Sequence, residues 1–379
     1  LYSDALLTIN PEAAELFEKL RGIIGKTGAS KVTKKVKVNN QGLTDEEYET
    51  AEKAKKKKKR QRTLEEQEAI DKQNQAKKER RNAISILRGI SIRIPLMIFG
   101  MEVDISKDID VETFVNEVDD ASWEEFMPVG VTKEVFREQA KYYDSEVFIE
   151  AGRIIRTRAK SYDDLSYTDR AEQIALLHGT FKNPDKETVL TPWRVVNMQL
   201  ASMIGGLSYY NEYFSDTSIN GTSALHWVSQ EATSKIYGNN SKILEINSKT
   251  GLYPLFCAVS FFFRQQMEFI NNTVGKITQI DEEKIIQKVL RENIYVIAKT
   301  PMAKTITQRT LVGYKGWDTN ILFIPDLVKK IRTNIHDVEK YVQKGFKVMK
   351  FDAVVGNPPY QENDGGSGSS ATPVYNKFI

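Results

Sequence analysis

The residues best suited to chemistry lie near the end of the chain, in Phe351-Asp352-Ala353-Val354-Val355-Gly356-Asn357-Pro358-Pro359-Tyr360. An apolar run of strand length ends there in a glycine, an asparagine, two prolines and a tyrosine. Two consecutive prolines fix the backbone and donate no hydrogen bonds, so they hold the Asn357 side chain and the Pro358 carbonyl outward as acceptors. Such a pair suits an exocyclic amino group on an aromatic ring, whose lone pair is delocalised and weakly nucleophilic. Acceptors aimed at its two hydrogens favour a pyramidal nitrogen and stabilise the positive charge that develops as it attacks a methyl group. Pro359 keeps the turn rigid, and Tyr360 offers a ring for stacking. A base inside a duplex reaches such a pocket only after being flipped out of the stack. The plain alternative is a turn that merely ends a strand.

An acceptor constellation of this kind needs a rigid frame, and the chain supplies one from Thr188 onward. Apolar runs at Ile243–Ile246, Ile294–Ile297, Ile321–Ile324 and Phe351–Val355 alternate with helical stretches, the pattern of a parallel sheet wound with helices. Ligands of open α/β sheets bind at the carboxyl ends of the strands, so the residues just past each run are the places to look for function. The expected fold class is α/β: an incomplete Rossmann-like domain with helices on both faces of its sheet, preceded by a mainly α-helical region.

Four stretches follow from the pattern: an N-terminal helical segment at 1–43, a long charged helix at 44–82, a mainly helical connector with a little strand at 83–187, and the α/β domain at 188–379. Asn10-Pro11 opens a short amphipathic helix, and Thr44 with Glu47 forms a capping box. Lys53, Lys55 to Lys59, Arg60 and Arg62 make a basic block, read either as a solvated helix face or as a contact to phosphates. Ile84 to Phe99 reads as a short helix followed by a buried strand, Thr132–Lys141 and Asp144–Arg158 as helices, and Asp169 with Glu172 as the capped start of a helix closing at Gly179. Gly25-Lys26-Thr27 mimics the end of a phosphate loop, but Leu20 stands where its first glycine belongs and a helix precedes it, so nucleotide hydrolysis is not expected.

Composition narrows the classes further. With 54 basic and 51 acidic residues the net charge is +3, which neither demands nor excludes nucleic acid. Cys257 is the single cysteine, which excludes an intrachain disulfide and a cysteine-based metal cluster and makes a reducing cytoplasm the natural compartment. His178, His226 and His336 share no ligand spacing, so no metal is expected. No apolar run reaches the length of a membrane span.

Asn-Pro-Pro-Tyr after a strand resembles motif IV of amino-group methyltransferases, chiefly adenine-specific DNA enzymes but also enzymes acting on protein glutamine or RNA. Thr191-Pro192-Trp193-Arg194 is similar to motif X, and Ile243-Leu244-Glu245-Ile246-Asn247-Ser248-Lys249-Thr250-Gly251 to motif I. Asn320 to Leu327 is similar to motif III. The resemblance implies S-adenosylmethionine as cofactor, framed by Thr191, Pro192, Glu245, Asn247, Gly251 and Asp326. It implies Asn357, Pro358, Pro359 and Tyr360 as the catalytic group and double-stranded DNA with a flipped adenine as substrate. Two positions depart from the family pattern. Lys249 replaces the first glycine of motif I and either reaches the cofactor's carboxylate or points to solvent. Ala298 stands where motif II carries an acid.

Region 83–187, joined to the Lys299-Thr300-Pro301-Met302 version of motif II, also resembles large bacterial restriction proteins that fuse a helicase to an adenine methylase. That likeness implies helicase or nuclease domains in the same parent polypeptide, of which this sequence reads as a fragment ending after motif IV. The rival expectation is a connector and DNA-docking scaffold that is silent by itself.

Overall fold

The computed structural model describes residues 64–181, 190–219, 221–273, 276–348, 350–357, 361–362 and 372–373. The expected helices at Asn10 and Thr44 and the basic block at 53–62 lie outside the described residues. The chain divides into two units, Leu1–Arg88 and Gly89–Ile379. The first is described only from the start of helix α1 (Leu64–Ser91), which crosses the division.

In the second unit, helices α2 (Ile94–Gly100), α3 (Val111–Glu117), α4 (Asp120–Phe126), α5 (Lys133–Ala140), α6 (Ser145–Ser161) and α7 (Tyr167–Thr180) come first. The strand expected within Ile90–Phe99 is helix α2. Its seven residues are all buried, so no polar face marks its period, and Pro95 in its first turn suits a helix start. Helix α2 presses against a later helix closely enough that a Cβ on Gly100 would lie 2.4 Å from Ile306 Cγ1. The start of α7 is also displaced from the expected one. Its cap is Ser166, whose hydroxyl accepts from the Asp169 amide at 3.2 Å, so Asp169 sits inside the first turn.

Helix α8 (Trp193–Met203) leads into short strands β1 (Gly206–Ser208), β2 (Ser218–Ile219), β3 (Thr222–Ser223) and β4 (His226–Val228), paired antiparallel as β1 with β4 and β2 with β3. After helix α9 (Thr233–Ile236) the α/β winding begins. It runs β5 (Ile243–Ser248), α10 (Leu252–Asn272), α11 (Gln279–Glu292), β6 (Ile294–Ala298), α12 (Pro301–Val312), β7 (Asn320–Phe323), α13 (Leu327–Thr333), α14 (Ile335–Phe346) and β8 (Ala353–Val355). The four expected strands pair in parallel in the order β7-β6-β5-β8. Two short antiparallel partners, β9 (Gln361–Glu362) and β10 (Thr372–Pro373), complete the described strands.

The strands alternate between two apolar clusters. Ile243, Ile294, Val296 and Ile321 join the large core shared with α2 to α12. Leu244, Tyr295 and Ile297 face the other way, against Leu327, Ile331, Val338 and Phe346 of α13 and α14. Helices therefore cover both faces, and burial on both sides is why the strands read as continuous apolar runs. The expected α/β class, with a helical region ahead of a parallel sheet, is the architecture observed. The larger core takes in residues from Ile90 to Phe181 as well as from Trp193 to Ile321, so the helices before the sheet pack as part of one body with it. No described helix is long and apolar enough to cross a membrane.

Candidate active site

Strand order locates the site. From β5 the chain winds outward to β6 and β7, then returns to place β8 on the opposite side of β5. The crevice outside the carboxyl ends of β5 and β8 is thus the topological switch point, the preferred ligand position in such sheets. Two expected motifs converge there: the turn 249–251 follows β5, and Asn357 follows β8.

Close approach of these strands depends on Gly356. Its φ of +138° disfavours any side chain, and a Cβ there would lie 3.0 Å from the Ile246 carbonyl oxygen and 3.4 Å from Glu245 Cγ. Asn357 is half-buried, and its Nδ2 donates to Thr191 Oγ1 at 3.2 Å. An amide that donates through Nδ2 presents Oδ1 as its acceptor. Thr191 stands just ahead of α8, whose N-cap is Pro192. Residues 166 positions apart are thereby joined at one point. Pro358, Pro359 and Tyr360 lie outside the described residues.

Glu245 sits in β5 beside that junction, paired in register with Val355 of β8. Its side chain is buried, and its Oε2 has no hydrogen-bond partner among the described residues. Burial pushes its carboxyl up to about 8, against the opposing pull of a Ser248 hydrogen bond. A buried carboxyl with an unsatisfied oxygen has unmet capacity for a cation or a donor. The same burial raises the thiol of Cys257 in α10, which the charge of Glu245 raises further.

The turn after β5 is braced from several directions. Asn247 is buried at φ +66° and Gly251 adopts φ +75° at the cap of α10. A Cβ on Gly251 would come within 3.0 Å of Thr307. Ser248 Oγ and Thr307 Oγ1 are 3.0 Å apart, and Thr310 Oγ1 donates to the Thr250 carbonyl at 2.7 Å. His178 shares Thr310 Oγ1 at 2.9 Å, and burial holds its ring neutral, down to about 3. Its role is structural bracing. Tyr253, in the first turn of α10, donates its hydroxyl to Gln199 of α8 and so links the turn after β5 to the helix that follows Thr191.

Lys249 follows neither expected course. Its ammonium pairs with Glu125 of α4 at 3.2 Å, and the side chain is only 15% exposed. Lys299, directly after β6, pairs with the other oxygen of Glu125 at 2.5 Å. Burial lowers the Lys249 amine, and the Glu125 carboxylate acts against that shift. Glu125 was not singled out by the sequence. A glutamate in a helix 124 positions ahead of its lysine carries no local mark. Ala298 is fully buried as the last residue of β6, so no carboxylate occupies the motif II position. Asp326 is exposed at φ +52° beyond β7, the edge strand separated from β5 by β6, and the structure does not bring it to the Asn357–Glu245 group.

Residues 292–379 match the family model of the Eco57I restriction-modification methylase. The matched region begins just before β6 and takes in β7, β8 and Asn357. The chain is also 39% identical over 51 residues to an uncharacterized adenine-specific methylase of Mycoplasma pneumoniae, across 13% of this chain and 12% of that relative. The aligned segment thus spans about an eighth of the relative's length. The resemblance to restriction-modification methylases drawn from the sequence is borne out by these matches. No solved structure matches.

Proposed function

We propose that this chain carries the cofactor and amine-activating parts of an enzyme that transfers a methyl group to the N6 amino group of adenine in DNA, within a restriction-modification system. The observation that carries the reading is the meeting of Thr191, Glu245, Gly356 and Asn357 at the switch point. These residues fit S-adenosylmethionine. Its positively charged methionine portion suits the buried Glu245 carboxyl, and Gly356, where a Cβ would meet Ile246 and Glu245, lets the end of β8 pack against β5 and set Asn357 beside that carboxyl. Thr191, Pro192, Asn247 and Gly251 frame the same crevice, whereas Asp326, beyond the far strand β7, is left out of it. When bound, the cofactor supplies an electrophilic methyl group.

The chain's own residues would do the rest. Thr191 fixes the Asn357 amide so that Oδ1 accepts one hydrogen of the adenine amino group, and the Pro358 carbonyl accepts the other. Tyr360 stacks on the flipped base, at a worth of roughly 1–3 kcal/mol. As the nitrogen takes the methyl group from the donor's sulfur, both acceptors would stabilise its developing charge, and the surplus proton would pass to solvent water. The parent polypeptide would supply any helicase or nuclease domain.

The test is labelling of duplex DNA with tritiated methyl groups by the full-length parent, followed by nucleoside analysis. Label in N6-methyladenine, lost in Asn357→Ala, is the expected result. Label that persists in that variant, or that appears in protein or RNA and not in DNA, sinks the reading.

A further inference from the structure

Two turns at the mouth of the sheet are tied by one carboxylate from outside the α/β winding. Helix α4 presents Glu125 toward the ends of β5 and β6, where Oε1 meets Lys249 Nζ at 3.2 Å and Oε2 meets Lys299 Nζ at 2.5 Å. The Glu125 side chain is 9% exposed and Lys249 15%, so the Lys249 contact is screened little by solvent, while Lys299, at 32%, is more open. The turns also touch directly, since the Lys299 amide donates to the Ser248 carbonyl at 2.9 Å. The same helix grips the next element: Ser122 Oγ accepts from the Met302 amide at 3.0 Å, supplying a partner to an otherwise orphaned N–H in the first turn of α12. Helix α4 therefore holds the β5 turn, the β6 turn and the start of α12 together.

We propose that Glu125 is a positioning residue that holds the Lys249 and Lys299 turns in the geometry needed to receive the methyl donor. This rests on the methyl-transfer reading. A lysine at the place of a glycine would crowd a ligand approaching the turn if its side chain lay over the crevice. Pairing with Glu125 draws Lys249 to the β6 side, away from β8 and Asn357. Without the carboxylate, two lysines face each other in a sheltered place, and like charges drive the turns apart.

Hydrogen–deuterium exchange of the ligand-free full chain tests the tie without reference to any cofactor. Glu125→Gln should speed exchange about ten-fold or more in both turns, 248–252 and 299–302, and leave α14 unchanged. In methyl transfer by the parent enzyme, the same variant should raise KM for S-adenosylmethionine about ten-fold with kcat within about two-fold. The double variant Glu125→Gln/Lys249→Gln should recover part of that loss, because the facing charges are gone. If Glu125→Gln fails to fold, Lys299→Gln, which leaves the Glu125–Lys249 pair in place, should speed exchange at 299–302 and not at 248–252, and unchanged exchange at 299–302 overturns the tie. In Glu125→Gln, unchanged exchange in either turn, or a uniform rise across the molecule with no change in KM, overturns the proposal. Faster exchange in both turns of a protein that binds no S-adenosylmethionine supports the tie and overturns the methyl-transfer reading.

Discussion

The turn after β5 and the turn after β8 flank one crevice but are built differently. The first is buried and braced by Thr307, Thr310 and Glu125. The second follows a three-residue edge strand that pairs, among the described residues, with β5, leaves Val354 exposed, and is joined to Thr191 by the hydrogen bond that Asn357 Nδ2 donates. Bracing costs nothing at the moment of reaction, so a preformed turn suits a ligand bound the same way in every cycle. A lightly held edge suits a group that must admit a large substrate. The contrast predicts that damage on the β8 side falls on turnover and damage on the β5 side on binding and stability.

The largest effect is expected at Asn357. Under the proposed reading, Asn357→Ala removes one of the two acceptors that serve the amine, and losing one such preorganised hydrogen-bonding group typically costs roughly 10²–10³ in kcat. The upper end corresponds to about 4 kcal/mol of barrier. Affinity for S-adenosylmethionine, read by calorimetry, should stay within about two-fold. A comparable fall in cofactor affinity would erase the proposed division between the two turns.

Glu245 sharpens the comparison from the β5 side. A carboxyl raised from 4.5 to about 8 by burial contributes stability fully present below about pH 4.5 and lost as pH rises through about 8. Between about pH 5 and pH 7.5 the wild-type chain should lose about 3 kcal/mol relative to Glu245→Gln, measured by urea denaturation at each pH. A bound cation beside Glu245 reverses the shift, so binding of the methyl donor near pH 7 should release a proton, detectable as a buffer-dependent binding enthalpy. Identical pH profiles for the two proteins would remove Glu245 from this role.

A smaller effect is expected at Gly356. Alanine there must hold φ near +138° and press on the Ile246 carbonyl, at a cost of about 2 kcal/mol. Thermal denaturation should show a lower Tm, and because the clash lies between the strands, cofactor affinity and turnover should fall together. A Tm unchanged within error would mean that β8 shifts freely and that the junction is looser than its geometry implies.

Much of this frame was legible in the sequence because its strands are buried on both faces and bounded by polar or proline-containing turns. Ile243, Ile294 and Ile321 begin or lie in strands close to the expected limits. Ile94–Phe99 reads as a strand but folds as a helix, since a helix buried all round and a buried strand present the same uninterrupted apolar run. Asn357 and Thr191 were legible as motif residues, but their bond across 166 positions was not. Glu125 was invisible, because nothing in a surface-like Trp-Glu-Glu-Phe sequence tells which glutamate is drawn inward by two distant lysines. Local pattern encodes the elements, whereas the ties between them depend on packing.

The smallest predicted effect tests whether the β8 turn is really held from outside. Thr191→Val keeps the shape of the side chain and removes the hydroxyl that accepts from Asn357 Nδ2 at 3.2 Å. A neutral hydrogen bond in a half-buried place contributes about 1 kcal/mol. If that bond serves to aim the Asn357 amide, kcat should fall about five- to ten-fold with KM for the methyl donor little changed, and Thr191→Ser should restore most of the rate. If Thr191 acts on the cofactor instead, KM should rise and serine should restore it, with kcat near wild type. The first pattern ties the open turn to α8 and makes Thr191 part of amine activation; the second moves it to the binding side, where the braced turn already lies.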